Sequence, residues 1–191
     1  MSTVKSKKLQ VGTDATSSNN FTIYQPSTPD GTLRIGVGNA DSPTEVGKFN
    51  INGYVPNKAP AFKAWINLTR TLTFTGSYIK VMFDVEEFDT DNCWDTTNSR
   101  FTPTVAGYYQ LSACIQGGNV ARHGLFMKNG SAYAYGTNHS TSNHYSDNNT
   151  TLMYLNGTTD YAEYAEYVSS TVTLDNTPSS SWFTGHLARA E

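Results

Sequence analysis

A chain of 191 residues with a net charge of −3 and only 15% charged side chains excludes nucleic-acid binding through a basic face, because neutralising phosphates needs clustered Lys and Arg. That length admits one sizeable domain with an extension, or two small domains. Aromatics at 13%, with abundant Thr, Ser, Asn and Gly, predict an all-β protein of pleated surfaces and tight turns rather than a disordered chain.

The first feature along the chain is a basic run, Lys5, Lys7 and Lys8. Its plain reading is a solvated end, and its sharper reading is an arm that docks on an acidic partner. The start carries no apolar stretch of the signal-peptide kind, and no later run reaches membrane-spanning length. The expectation is therefore a soluble chain made in a cytoplasm, with no membrane partner.

Residues 1–55 read as short strands between turns. Leu9-Gln10-Val11-Gly12 resembles Leu33-Arg34-Ile35-Gly36, and Phe21-Thr22-Ile23 resembles Phe49-Asn50-Ile51, which suggests a weak duplication. So few large apolar side chains cannot close a core alone. The segment is predicted to be an extended β-rich arm that packs on copies of itself, on the rest of the chain or on another protein. Lys5, Lys7, Lys8, Leu9, Val11, Phe21 and Ile23 are its candidate docking residues.

Residues 56–191 read as many strands and essentially no helix. Alternation marks Lys80-Val81-Met82-Phe83 and the stretches 108–115, 124–127 and 170–174. Lys128-Asn129-Gly130 and Leu155-Asn156-Gly157 are hairpin signals, since Asn-Gly tolerates the positive φ of tight turns. Residues 161–167 mix helix-favouring Ala and Glu with three tyrosines, and the strand-rich context predicts a strand. Cys114, in an apolar run, is expected to be a small buried hydrophobe, and Cys93, in an acidic turn-rich stretch, is not expected to bond to it.

An ordered series of short motifs in this part resembles the C1q/TNF-like jelly-roll family. Ala61-Phe62-Lys63-Ala64 is similar to its opening strand, and Arg100-Phe101-Thr102-Pro103 with Gly107-Tyr108-Tyr109-Gln110-Leu111 to its central signature. Leu125 to Gly130, then Leu155-Asn156-Gly157 with Asp160-Tyr161, follow in family order. Phe183-Thr184-Gly185-His186-Leu187 resembles the last strand. Leu111 stands where the family usually has Phe, Thr158 and Thr159 interrupt its Gly-Asp pair, and its collagen-like stalk is absent. The resemblance implies a ten-strand jelly-roll sandwich forming a homotrimer through an apolar, aromatic inner sheet. Phe62, Phe101, Tyr109, Leu111, Phe183 and Leu187 are the implied core and trimer residues. Residues 79–109 also resemble C1q-like modules of bacteriophage structural proteins.

Other constellations are weaker. Asp84, Glu86, Glu87, Asp89, Asp91 and Asp95 offer the oxygen chemistry of a calcium site but lack the EF-hand spacing, and read first as a solvated loop. His139 and His144 read as exposed histidines, short of the ligand count that zinc needs. Residues 130–151 read as a polar loop in which Tyr133, Tyr135, His139, His144 and Tyr145 alternate with Ser, Thr and Asn. Such a loop either packs on the trimer or stacks on host glycans. No nucleophile elbow, phosphate loop or dinucleotide fingerprint occurs, so the expectation is a non-enzyme without a cofactor. The leading expectation is a capsid decoration (cement) protein of a tailed phage, assembled in the host cytoplasm, with the major capsid protein as partner. The rival is the receptor-binding tip of a tail or head fibre.

Overall fold

The structure is a computed structural model describing residues 7–56, 59–139 and 145–191. The chain divides into two compact units, Met1–Lys58 and Ala59–Glu191.

The first unit is one antiparallel meander of β1 (Lys8–Val11), β2 (Phe21–Tyr24), β3 (Leu33–Val37), β4 (Thr44–Asn50) and β5 (Gly53–Pro56), paired in sequence order. An extended arm was the expectation; the described residues fold into a sheet instead, because the turns carry their own locks. The Asp30 carboxylate accepts from the Thr32 backbone N–H and hydroxyl and pairs with Arg34 at 2.6 Å, closing the β2–β3 turn. Asn20, buried, donates to the Asp14 carbonyl and the Asn39 side chain and accepts from Asp14 N–H, tying two loops together. The repeated Leu-x-(Val/Ile)-Gly motifs do fall on β1 and β3. The second Phe-x-Ile motif runs off its strand, and Ile51 in the β4–β5 turn is 98% exposed.

Side chains alternate across a strand, so register sorts this sheet into two faces. Leu9 opposes Ile23 and Ile23 opposes Ile35; Val11 opposes Phe21 and Phe21 opposes Val37; Leu33 opposes Phe49. These eight share one face, and none is buried. The other face carries Thr22, whose hydroxyl donates to the Gly38 carbonyl, and Arg34 paired with Glu45 at 2.7 Å.

The second unit is a sandwich of two antiparallel sheets. One is built from β6 (Ala61–Trp65), β9 (Val85–Asp89), β12 (Ala106–Gln116), β15 (Ser146–Asn156) and β18 (Trp182–Ala190), in the order β15-β12-β18-β6-β9. The other uses β10 (Trp94–Asp95), β11 (Arg100–Phe101), β13 (Arg122–Lys128), β14 (Ser131–His139) and β16 (Ala162–Val168), in the order β10-β11-β16-β13-β14. These two paths hold ten strands; β8 (Ile79–Lys80) adds to β16, and β7 (Arg70–Leu72) pairs β17 (Val172–Leu174) apart from both.

The core between the sheets is aromatic. Phe62 stacks on Phe101 at 4.4 Å and on Trp94 at 4.8 Å, and meets Phe183 edge-on at 5.1 Å. Such pairs add to the area they bury. Asn129 and Gly130, both at positive φ, join β13 to β14 in the hairpin that their sequence signals.

Four expectations need correction. Asn156-Gly157 is not a hairpin: β15 pairs β12 while β16 pairs β13, so this turn crosses between sheets. The Asn156 side-chain carbonyl accepts from Thr158, Thr159 and Asp160 N–H, which makes the local turn that the sequence signals without making a strand pair. Of Lys80 to Phe83 only Lys80 is in a ladder; Val81 and Phe83 are buried, and Ser99 Oγ both donates to the Phe83 carbonyl and accepts from its N–H. The acidic stretch is not wholly a loop, because Val85–Asp89 is the edge strand β9. Residues 130–151 are largely the strands β14 and the start of β15. Cys93 and Cys114 are free and buried.

Candidate functional site

The core and trimer residues implied by the family resemblance lie inside a single chain. Phe62, Phe101, Tyr109, Leu111 and Phe183 are fully buried between the sheets, and Leu187 packs half-buried against them. Tyr109 donates its hydroxyl to the Val105 carbonyl at 2.6 Å, and burial raises its pKa. None of the five buried side chains is left to face another copy.

What is left is the outward face of the β15-β12-β18-β6-β9 sheet. On β12 the inward Tyr109, Leu111 and Ala113 alternate with outward Tyr108, Gln110 and Ser112. Register places Tyr154 and Arg189 on either side of Tyr108, and Leu152 and His186 on either side of Gln110, while the next row runs from Ser112 through Thr184 and Lys63 to Phe88. Tyr108, Leu152 and Phe88 are exposed, and Tyr108 meets Tyr154 at 5.4 Å. Short polar groups interleave: Gln110 Nε2 donates to Thr150 Oγ1 at 2.6 Å, and Thr184 donates to the Phe62 carbonyl. Lys63 is neutralised by Glu87 at 2.6 Å. Exposed aromatics with few free charges are the composition of an interface centre.

The remaining sequence candidates separate. Leu9, Val11, Phe21 and Ile23 share the open apolar face of the meander, whereas Lys8 stands on the opposite face and donates to the Ala40 carbonyl at 2.6 Å. Lys7 is exposed, and Lys5 lies outside the described residues. Tyr133 and Tyr135 are exposed on β14, but Tyr133 donates to the Leu152 carbonyl at 3.2 Å while Tyr135 stacks on His123 at 5.5 Å. Tyr145 is exposed, His139 ends β14, and His144 lies outside the described residues.

The acidic side chains serve turns. Asp84 accepts from Asn67 and Leu68 N–H, Asp89 from Trp94 and Asp91 N–H, Asp91 from the Thr104 hydroxyl, and Asp95 from Asn98, which lowers its pKa. Among the described residues no three His, Cys, Asp or Glu side chains gather as a metal would require.

Sequence reasoning missed a polar knot inside the sandwich. Arg122, Asp147, Tyr164 and Glu166 are fully buried, and Asn149 nearly so. Arg122 donates to the Ile115 and Gly118 carbonyls, Asn149 donates to the Tyr164 hydroxyl at 2.6 Å, and that hydroxyl donates to Glu166. Burial, with the Asp147 carboxyl beside it, raises the pKa of Glu166 well above the usual glutamate value, against the pull of Arg122. Gly124 and Gly136 make the room: a Cβ on Gly136 would stand 1.9 Å from Asn149 Oδ1. The pattern of Asp147 and Asn149 on a strand with polar neighbours gives no hint that they point inward.

No protein-family model matches the chain, and no curated protein matches it in sequence. Solved structures do. Murine APRIL superposes with a TM-score of 0.53 at 10% identity, over 68% of this chain and 99% of that one. Eiger TNF from S. frugiperda superposes with a TM-score of 0.52 at 11% identity, over 70% of this chain and 94% of that one. The sandwich is a TNF/C1q-like jelly roll. The globular domain of zebrafish complement 1qA protein aligns more loosely, with a TM-score of 0.48 at 14% identity over 70% of this chain and 100% of that one, and adds nothing to the assignment. At such identities the likeness carries the jelly-roll fold alone, and the chemistry of its surfaces has to be read from this chain.

Proposed function

We propose that this chain is a trimeric, non-enzymatic structural protein of a tailed-bacteriophage virion, a cement protein that decorates and stabilises the capsid. The observation that carries the reading is the presence, in one chain, of two uncovered surfaces of different kinds. The charge-poor aromatic sheet face around Tyr108, Tyr154, Leu152 and Phe88 suits packing against copies of itself. The meander's apolar face suits docking on a partner, here the major capsid protein. The virion setting is supported by the resemblance of residues 79–109 to modules of phage structural proteins.

Sedimentation at micromolar concentration is expected to show a trimer, and Tyr108→Asp with Leu152→Glu to give a folded monomer. A monomeric wild-type chain overturns the trimer. Removing residues 1–55, or introducing Val11→Asp with Phe21→Asp, is expected to abolish capsid binding and leave the trimer intact. Undiminished binding defeats the cement role.

A second reading, the receptor-binding tip of a fibre, is favoured by one feature, the exposed ring of Tyr135 among other aromatics. Virion stoichiometry separates the two. Copies approaching the number of capsid subunits sink the tip, and a handful of trimers sinks the cement.

A further inference from the structure

On the outward face of the β10-β11-β16-β13-β14 sheet, five rings from four segments converge. Tyr78 lies 6.1 Å from Tyr167 and 5.8 Å from Tyr135, Phe74 meets Tyr167 edge-on at 6.0 Å, and His123 stacks on Tyr135 with 24° between the planes. Register adds a polar neighbour. Tyr167 opposes His123 on β13 and His123 opposes Asn138 on β14, so the exposed Asn138 amide stands on the same face.

The platform is held from beneath. The His123 Nε2 is 3.1 Å from the Gly136 carbonyl, which can only accept, so Nε2 donates. The Tyr78 hydroxyl then donates to Nδ1 at 2.6 Å, linking residues 45 apart in sequence. Both ring nitrogens are engaged, which fixes the imidazole under Tyr135. Tyr135 nevertheless remains 63% exposed and Phe74 47% exposed.

The exposed rings of Tyr135 and Phe74, braced by the half-buried Tyr78, Tyr167 and His123 at tilts of 24° to 89°, call for an apolar ligand surface, and the amide and phenol groups beside them call for hydroxyls. A sugar ring supplies both, C–H bonds on its face and hydroxyls on its edge. Stacked nucleobases would bring phosphates, which need free cations close by. Among the described residues, the cations of this sheet already have partners: Lys80 and Arg100 share Glu163, Lys128 pairs with Asp160, and the buried Arg122 donates to backbone carbonyls. The rings themselves carry no charge to match an anionic ligand.

We propose that Phe74, Tyr78, Tyr135 and Tyr167, with His123 and Asn138, form a stacking platform for an uncharged glycan. Of the tyrosines first singled out in residues 130–151, Tyr135 belongs to it, while Tyr133 instead donates to the Leu152 carbonyl. The platform lies on the sheet opposite the self-association face and is independent of the capsid-docking reading.

Calorimetry on the full-length chain, with maltohexaose, cellohexaose and chitotetraose as probes and heparin as the anionic control, tests it. At least one neutral probe is expected to bind. Tyr135→Ala and Phe74→Ala are each expected to weaken it about tenfold, the loss of one aromatic contact. Tyr135→Phe is expected to retain the stack, and Tyr145→Ala to change nothing. Both weakening variants alter exposed side chains, and thermal melts confirm that they fold. No heat from any neutral probe at about 10 mM, well above a millimolar Kd, overturns the proposal. So does binding that survives both alanine variants, or binding of heparin alone that salt removes.

Discussion

Phe62 in the jelly roll lies stacked between Trp94 and Phe101 and is fully buried, whereas Phe21 in the meander, opposite Val11 and Val37, stays 48% exposed. Both sit on short antiparallel strands, and Phe21 even has the more apolar cross-strand partners, since Phe62 lies between Gly185 and Asp89. The difference is the second layer. A sheet buries its apolar face only against another element, and the sandwich contains that element, whereas the meander's Leu9, Val11 and Phe21 stay 48% to 59% exposed. Cross-strand pairing therefore sets which residues share a face, but only a facing layer turns a shared face into a core.

The largest test of this contrast is a pair of truncations. Phe62→Ala is expected to cost about 3–5 kcal/mol by urea unfolding, in line with emptying a packed aromatic site. Phe21→Ala is expected to cost under about 1 kcal/mol in the isolated protein, because little area is withdrawn from water there. Equal costs would mean that the meander is covered in solution and would break the comparison. A second pair uses glycines. Gly136→Ala drives a methyl onto Asn149 and is expected to cost about 1–3 kcal/mol by overpacking. Gly31→Ala meets nothing within 4 Å, and its φ of +79° leaves only a backbone strain of about 1 kcal/mol.

Titration sharpens the comparison further. Folded Glu166 keeps a proton that the unfolded chain releases above the ordinary value of 4.5. Its contribution to stability is thus full below that pH and is lost as pH rises toward the raised folded value. Glu166→Gln is expected to flatten this fall in pH-dependent melts; an unchanged slope would place the dependence elsewhere. Asp30 in the meander behaves in the opposite sense. The Thr32 hydroxyl and Arg34 lower its pKa to about 2, so its contribution is present above the ordinary aspartate range and lost as pH falls toward that value. Exposed and screened by solvent, it is expected to give the smallest effect of the series, and Asp30→Asn should move the melting temperature least.

Much of the sandwich was legible because its signals are local. Tyr108 to Ile115 alternates since one face of β12 is buried, and Asn129-Gly130 marks a hairpin since its two residues take up positive φ themselves. Asn156-Gly157 carries the same letters and turns locally, yet whether the next strand pairs or crosses depends on which sheet has room. The acids of β9 hid an edge strand because one of its faces meets solvent. The Tyr78–His123–Tyr135 cluster could not be read from spacing, since its rings reach one place from separate strands and a connecting segment.

By itself the sequence determined that the chain is all-β, where most of the jelly-roll strands run and which family motifs order them, because strand period and turn conformation are properties of neighbouring residues. The tertiary structure alone decided which alternating face became core, that Arg122, Asp147 and Glu166 are sealed inside, and which aromatics stay outside. Burial depends on what packs across from a residue, and that partner is distant in the chain.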